Sequence, residues 1–154
     1  MKPHSMKLHI EAARGKISYI YGREVARMIF DREDEVRVAL SGTGRVRQVY
    51  LGEVLLFTLR MEDGYLLPTL QGAKLIKHAV VIQDDAVPFV RRGKSVMAKS
   101  VIEVSPDALP GLEVAVRSRD GETIAVGRLL LSLDEIRSVK RGVAVKVRDS
   151  VEKE

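Results

Sequence analysis

The sequence predicts a mixed α+β protein: a small N-terminal antiparallel sheet with helices, then a C-terminal half built mainly of strands. Helical apolar spacing and hairpin turn signals alternate over the first 84 of the 154 residues. Beyond residue 85, five or so short strands and two helical turns fill the chain, which suits a small closed barrel or pseudo-barrel. No apolar run approaches the ~20 residues of a membrane span.

The elements of the N-terminal half follow from local patterns. An amphipathic helix is predicted after Tyr21, because Val25, Met28 and Ile29 have the i, i+3, i+4 spacing of one apolar face. Thr69 is the expected cap of a further helix that follows Pro68. Strands are predicted at Arg37–Leu40, Val46–Leu51, Val54–Arg60 and Tyr65–Leu67, with turns at 41–44, at 52–53 and at Asp63-Gly64.

The C-terminal half is predicted to consist mainly of strands. Ala79–Ile82 is predicted as a short buried strand, and Gln83-Asp84-Asp85 is the expected boundary between domains 1–84 and 85–154. The elements predicted after it are a helical turn at Val87–Val90, a long strand at Lys94–Val104, a loop at 106–111, strands at Val114–Ser118 and Thr123–Leu131 joined across Asp120-Gly121, a capping box from Ser132 to Glu135, and a closing strand at Val143–Val147.

The charge favours a polyanionic partner. The chain carries 26 Lys and Arg against 21 Asp and Glu, a net charge of +5, with a pI near 9.6. Three stretches lack acidic residues, namely 36–52, 86–102 and 136–148. Each alone can be an ordinary solvated face, whereas two brought together by the fold would form a phosphate-binding surface. Abundant Arg, Lys and Glu, with no Asn and Gln only at positions 48, 71 and 83, is typical of a protein from a hot source.

Reactive groups are scarce. Without Cys there is no thiolate nucleophile and no Cys-based zinc site. His4 and His9 lie near an end expected to fray, and His78 is expected to end a helix. Gly93-Lys94-Ser95 lacks the earlier glycine of a phosphate loop, although its backbone N–H groups could still meet a phosphate. We therefore expect no catalytic residue, metal or cofactor, and a cytoplasmic protein without a signal peptide or membrane segment.

Four pieces in order resemble a PUA domain, the small RNA-binding pseudo-barrel of tRNA- and rRNA-modifying enzymes. They are Pro88–Val96, Leu109–Val114, Ile124–Arg128 and Arg141–Arg148, within residues 85–149. Leu112 departs from the family pattern, which usually has an acidic residue after Pro-Gly. The resemblance implies an RNA-binding face that this departure leaves intact.

The preceding residues resemble the small domain before PUA in archaeal tRNA-guanine transglycosylase and the related archaeosine synthase. The similarity is carried by 44–50, 53–60 and 70–73, so it extends over about residues 20–150. It implies a non-catalytic tRNA-binding module for tRNA modification, with a separate catalytic transglycosylase subunit as a further partner. The alternative is a translation- or ribosome-associated PUA protein resembling re-initiation factors, which share this layout. A third hypothesis is an orphan RNA chaperone or assembly factor.

The resemblance implies contacts to the tRNA acceptor stem and 3′ end. Carried over residue by residue, the RNA-binding positions are Arg91, Arg92, Gly93, Lys94, Ser95, Met97 and Lys99, with Arg141, Gly142, Val143, Ala144 and Lys146. Arg45 and Arg47 are possible secondary RNA contacts. Phe57 and Phe89 are expected in the core, since no aromatic pair suggests a base-stacking platform. Arg128 is expected either at the RNA face or in an ion pair with Asp120 or Glu122.

Overall fold

The protein is described by a computed structural model that covers residues 4–153. The chain divides into two compact units, residues 1–75 and 76–154. The elements of the first unit are α1 (His4–Tyr21), α2 (Arg23–Phe30), a 3₁₀ turn (Glu33–Glu35), β1 (Val36–Leu40), β2 (Val46–Leu51), β3 (Val54–Leu59), β4 (Leu66–Pro68) and α3 (Leu70–Ala73). The α+β class expected for this half is therefore confirmed.

The first helix was not predicted. The expectation of a frayed end around His9 is wrong, because this residue lies within the 18-residue α1, whereas the side chain of His4 lies outside the described residues. Ile10, Ala13 and Ile17 are buried and recur every three or four residues, so the helical signal was present but sparse. In α2 the predicted face is partly wrong, since Met28 is exposed.

The four strands form an antiparallel sheet in the order β1-β2-β3-β4. The ring of Tyr21 lies 5.3 Å from that of Phe57 on β3, and its hydroxyl donates to the carbonyl of Leu66 on β4 at 2.5 Å. These contacts attach the end of α1 to the sheet, so the buried core of this unit lies between helix and sheet. The predicted cap is confirmed, because Thr69 Oγ1 accepts from Gly72 N at 3.2 Å.

The second unit is built mainly of strands. Its elements are β5 (Ala79–Ile82), a 3₁₀ turn (Asp84–Ala86), α4 (Val87–Arg91), β6 (Val96–Met97), a 3₁₀ turn (Ala98–Ser100), β7 (Val101–Val104), β8 (Glu113–Arg117), β9 (Thr123–Leu129), α5 (Leu133–Val139) and β10 (Val143–Ser150). The six strands have the order β6-β10-β9-β8-β5-β7. Only β5 and β8 run parallel among the described pairs.

The predicted long strand at 94–104 is wrong. The structure divides it into β6 and β7, which form the two opposite edges of the sheet and are joined by the 3₁₀ turn Ala98–Ser100. Three residues can join two edges only if the sheet curls until those edges approach, so the sheet is a nearly closed pseudo-barrel. Strand propensity could not reveal this break, since Val96 and Val104 are both buried strand residues.

The two units divide earlier in the chain than the sequence indicated. The predicted boundary places Ala79–Ile82 in the first domain, but β5 lies between β8 and β7 in the second sheet. Val80 pairs with Val116 in parallel and with Val104 in the antiparallel direction. Pairing with distant strands, rather than the acidic pair after β5, therefore sets the division. Among the described residues no helix is long and apolar enough to cross a membrane.

Candidate nucleic-acid interface

A surface pocket of about 480 Å³ lies where α4 and the loop after it meet β6 and the following 3₁₀ turn. It is lined by Asp85, Ala86, Phe89, Val90, Lys94, Ser95, Met97, Lys99 and Ser100. Its size falls within the ~300–1,000 Å³ range of pockets that hold small organic ligands. The acid-free stretch 86–102 supplies every lining residue except Asp85.

The apolar part of the pocket is exposed to solvent. Phe89 is 59% exposed and Met97 40% exposed. The expectation that Phe89 lies in the core is wrong, whereas Phe57 is buried as predicted. The five-residue α4 explains the difference, because Val90 is the residue that it buries, and Phe89, one position earlier, lies about 100° away around the helix. An aromatic face and a thioether are thus left accessible in one pocket.

Basic side chains flank this apolar surface. Lys94 and Lys99 line the pocket and both are exposed, as is Arg92 in the loop after α4. The carboxylate of Asp85, also exposed, is the acidic group among the lining residues and can accept hydrogen bonds from a ligand's amino group. The pocket therefore presents cations for phosphates beside an apolar surface and one acceptor.

The backbone N–H groups of the loop formed by Arg92, Gly93 and Lys94 are already hydrogen-bonded within the protein. The amides of Arg92 and Lys94 both donate to Phe89 O, at 3.2 and 3.1 Å, and Gly93 N donates to Val90 O at 3.0 Å. These bonds satisfy carbonyls at the end of α4. The backbone groups of Gly93 and Lys94 are thus not open to a phosphate, contrary to the expectation from Gly93-Lys94-Ser95. Gly93 has a φ of 102°, a conformation that favours glycine.

The fold joins the two predicted basic stretches at β6 and β10. Met97 pairs with Val143, and Ala98 N donates to Gly142 O at 3.0 Å. Val147 N donates to Ser95 Oγ at 3.3 Å, which fastens the loop before β6 to β10. The residues around β6 therefore lie directly beside those of β10.

Some of the predicted positions are not free to meet a ligand. Ala144 is fully buried, so its side chain faces the core. Arg91 donates to Glu122 at 3.0 Å and to Glu152 at 3.1 Å. The two carboxylates, Glu122 first, raise the pKa of its guanidinium above the ordinary value. Arg91 therefore ties α4 to the β8–β9 turn and the end of the chain, with its charge already compensated.

The other predicted cations are exposed. Arg141 and Lys146 are both exposed, and Lys146 lies directly opposite Arg128 in the β9–β10 pair. Like charges across a strand pair are unfavourable without a counter-ion. Glu122, one of the partners expected for Arg128, instead pairs with Arg91. Arg45 and Arg47, both exposed, belong to the first unit.

The surroundings of His78 differ from those that the sequence predicts. The expectation that His78 ends a helix is wrong, because α3 ends at Ala73 and His78 is a buried residue just before β5. Its Nε2 lies 3.4 Å from Asp107 Oδ2. No group of three or more His, Asp or Glu side chains among the described residues is placed to hold a metal ion.

Sequence reasoning missed Phe89, Asp85 and Ser100 as parts of the pocket. The available signal was Pro88, which marks the start of a helix (Val87–Arg91) whose geometry turns two successive residues, such as Phe89 and Val90, in different directions. The sequence predicts Asp85 in a domain boundary, because the membership of β5 in the second sheet depends on pairing with distant strands.

Several curated proteins resemble this chain. The tRNA-guanine(15) transglycosylase of Thermococcus kodakarensis is 41% identical over 72% of this chain and 20% of that protein. The enzyme of the same name from Methanocaldococcus jannaschii is 37% identical over 92% of this chain and 23% of that protein. The chain thus spans about a fifth of the length of the curated relatives it matches.

Solved structures share the fold. A hypothetical protein from Pyrococcus horikoshii superposes with a TM-score of 0.73, at 24% identity, over 94% of this chain and 90% of that one. A conserved PUA domain protein from Thermoplasma acidophilum gives a TM-score of 0.60, at 20% identity, over 83% of this chain and 89% of that one. The expected PUA-type pseudo-barrel is therefore confirmed.

Two family models match the chain in succession. The patch-forming domain C2 of tRNA-guanine transglycosylase matches residues 11–82, and the PUA domain matches residues 78–151. The two matches meet at β5, close to the division between the two units. The resemblance indicated by the sequence is confirmed: the chain carries a PUA domain, preceded by a segment that matches the patch-forming domain C2 of tRNA-guanine transglycosylase.

Proposed function

We propose that this chain is a non-catalytic tRNA-binding protein whose PUA domain holds the acceptor stem and 3′ end. The PUA domain is an RNA-binding module, and the relatives that align with the chain are named for a tRNA-modifying activity. The guanine exchange of those relatives is assigned in this proposal to a catalytic transglycosylase subunit that acts together with this chain.

One observation carries the proposal: Phe89 and Met97 are exposed in the same pocket that Lys94 and Lys99 line. An aromatic ring at a pocket surface offers a stacking surface to an unpaired base, because every base has a π face. The lysines can neutralise the phosphates on either side of that base. A single-stranded RNA end beside a duplex combines these two requirements, whereas a duplex alone has no free base to offer.

The neighbouring strand supports contacts to a duplex. Gly142, exposed and with a φ of 81°, lies beside Ala98 through the bond between Gly142 O and Ala98 N. A glycine at this position lets an RNA backbone approach the protein closely. Arg141, Lys146 and Arg92 add exposed cations that can follow phosphates without reading bases. Arg91 and Ala144 are not direct contacts, because Arg91 is ion-paired and Ala144 is buried.

The test compares two charge-matched variants. Lys94→Gln with Lys99→Gln removes two pocket cations, and Arg23→Gln with Arg119→Gln removes two exposed cations outside the pocket. Binding of a transcribed tRNA and of an acceptor-stem minihelix is measured by fluorescence anisotropy over a range of KCl concentrations. The pocket variant is expected to flatten the slope of log K against log [salt] by about 1.5, the loss for two phosphate contacts.

The control variant is expected to keep the wild-type slope on both RNAs. An equal loss in the two variants would show that diffuse charge, rather than the pocket, holds the RNA. A wild-type protein that binds neither tRNA nor the minihelix at ~0.1 M KCl would contradict the function itself.

A further inference from the structure

A second cationic pocket lies in the first unit. It has a volume of about 210 Å³ and is formed by one face of α1, the turn before β2 and the first residues of β2 and β4. Its lining residues are His9, Ala12, Ala13, Lys16, Gly44, Arg45, Val46 and Leu66. This volume is below the ~300 Å³ at which pockets begin to hold drug-sized ligands. A compact group such as a phosphate is therefore the size of ligand that it suits.

Two cations converge at the rim of this pocket. Lys16 Nζ donates to Gly64 O at 2.8 Å. A Cβ placed on Gly64 would lie 2.5 Å from Arg45 Nη2 and 3.6 Å from Lys16 Nζ, so both charged groups reach the same point. Like charges this close repel each other, and an anion between them would relieve that repulsion. The ammonium offers further donors and the guanidinium a planar fork, a pairing that matches phosphate oxygens.

The nearest acid on the chain is engaged elsewhere. Asp63 precedes Gly64, but its carboxylate receives two bonds from Arg60, at 2.9 and 2.6 Å. That pairing, together with the amide of Tyr65, lowers the pKa of Asp63 to about 2. In the part of the chain that the structure describes, no carboxylate lines the pocket, and Lys16 and Arg45 form no ion pair. The positive charge of this pocket is therefore not compensated by any carboxylate whose side chain the structure describes.

We infer that Lys16, Arg45 and His9 form a second phosphate site, which takes a phosphate of the RNA backbone. This inference rests on the proposed function and extends it from the PUA domain to the C2 domain. His9, half-buried on α1, adds an imidazole N–H on the same pocket wall. Gly44 is exposed, with a φ of 80°, and has no side chain, so an RNA backbone can approach the edge of the pocket closely at this position.

The test again uses paired variants of the full chain. Lys16→Gln with Arg45→Gln removes the two converging cations, and Arg23→Gln with Arg27→Gln removes two exposed cations of α2 outside the pocket. Anisotropy with tRNA over a KCl series is expected to show a slope reduced by about 1 for the first variant, since one phosphate contact is lost. The α2 variant is expected to keep the wild-type slope, and both are expected to unfold at the wild-type temperature.

A second measurement separates RNA phosphate from free phosphate. Sodium phosphate is titrated into isotopically labelled protein while the amide resonances of Gly44 and Gly64 are followed. Shifts that disappear in the Lys16→Gln, Arg45→Gln variant, together with the reduced tRNA slope, support the inference. Shifts accompanied by an unchanged tRNA slope would assign the pocket to free phosphate and overturn it.

The outcomes also separate this inference from the proposed function. If Lys94→Gln with Lys99→Gln weakens tRNA binding and Lys16→Gln with Arg45→Gln does not, the second site is refuted and the PUA pocket stands. Equal slopes for the pocket variant and the α2 variant would likewise refute it. Wild-type protein that binds no tRNA would refute both.

Discussion

Replacing Phe89 by alanine tests whether the pocket of the PUA domain holds a nucleobase. Because the ring is 59% exposed, its loss should cost the fold about 1 kcal/mol or less, against about 3–5 kcal/mol for a fully buried phenylalanine such as Phe57. The unfolding midpoint in urea should therefore change little. Any loss of RNA affinity then reports on the surface and not on folding.

The expected loss of affinity follows from stacking. Removal of an aromatic side chain that stacks on a base costs about 1–3 kcal/mol, which corresponds to an increase of roughly 5- to 150-fold in Kd. Leu109, 61% exposed in the loop before β8, provides the matched control, since Leu109→Ala removes a similarly exposed apolar side chain outside the pocket. That variant should bind tRNA with the wild-type Kd.

The assay is fluorescence anisotropy with two RNAs, an intact tRNA and one that lacks its 3′-terminal single-stranded nucleotides. If the pocket holds a base of the 3′ end, Phe89→Ala should weaken binding of the intact tRNA and leave binding of the shortened RNA unchanged. Wild-type affinity of Phe89→Ala for intact tRNA would refute the stacking argument. An undiminished loss on the shortened RNA would refute the assignment of the pocket to the 3′ end.

Three further predictions concern packing and electrostatics. Arg117→Ala removes a half-buried guanidinium that donates to Ile76 O at 2.8 Å and to Thr123 Oγ1 at 3.1 Å. Urea unfolding should show that the free energy of unfolding falls by about 1–2 kcal/mol, with tRNA affinity retained. The folded-state pKa of Asp63 is about 2, below the usual 3.8. The contribution of its carboxylate to stability is therefore present above about pH 4 and lost toward pH 2. In the Asp63→Asn variant, the unfolding midpoint should depend less on pH over that range than it does in the wild type. Gly127→Ala would drive a Cβ into the backbone of β10, whereas Gly42 has open space around it; thermal denaturation should show a loss of about 1–3 kcal/mol for the first and none for Gly42→Ala.

Short-range signals predicted several elements correctly. The Asp120-Gly121 hairpin joins β8 and β9, and the capping box of Ser132 and Glu135 begins α5. The cap at Thr69 is likewise present. Each of these features depends on residues within a few positions of one another, so the chain specifies it before any tertiary contact forms.

Elements whose form depends on distant partners were predicted less well. The split of 94–104 into two edge strands follows from closure of the sheet, and β5 belongs to the second unit because it pairs with β8 and β7. Helix α1 was missed because its apolar residues are sparse in the sequence. Its packing against β1 and β2 supplies the stabilisation that this sparse apolar face does not indicate.

The sequence by itself determined which chemistry this protein has: basic stretches free of acids, no cysteine, and the ordered pieces of a PUA domain preceded by a C2 domain. Tertiary structure decided which of those groups are available. It paired Arg91 with two carboxylates and buried Ala144. It also exposed Phe89 beside two lysines. The reason is that burial and ion pairing depend on residues far apart in the sequence. Arg91, for example, pairs with Glu122 and Glu152, which are 31 and 61 positions away, so no local sequence pattern indicates these contacts.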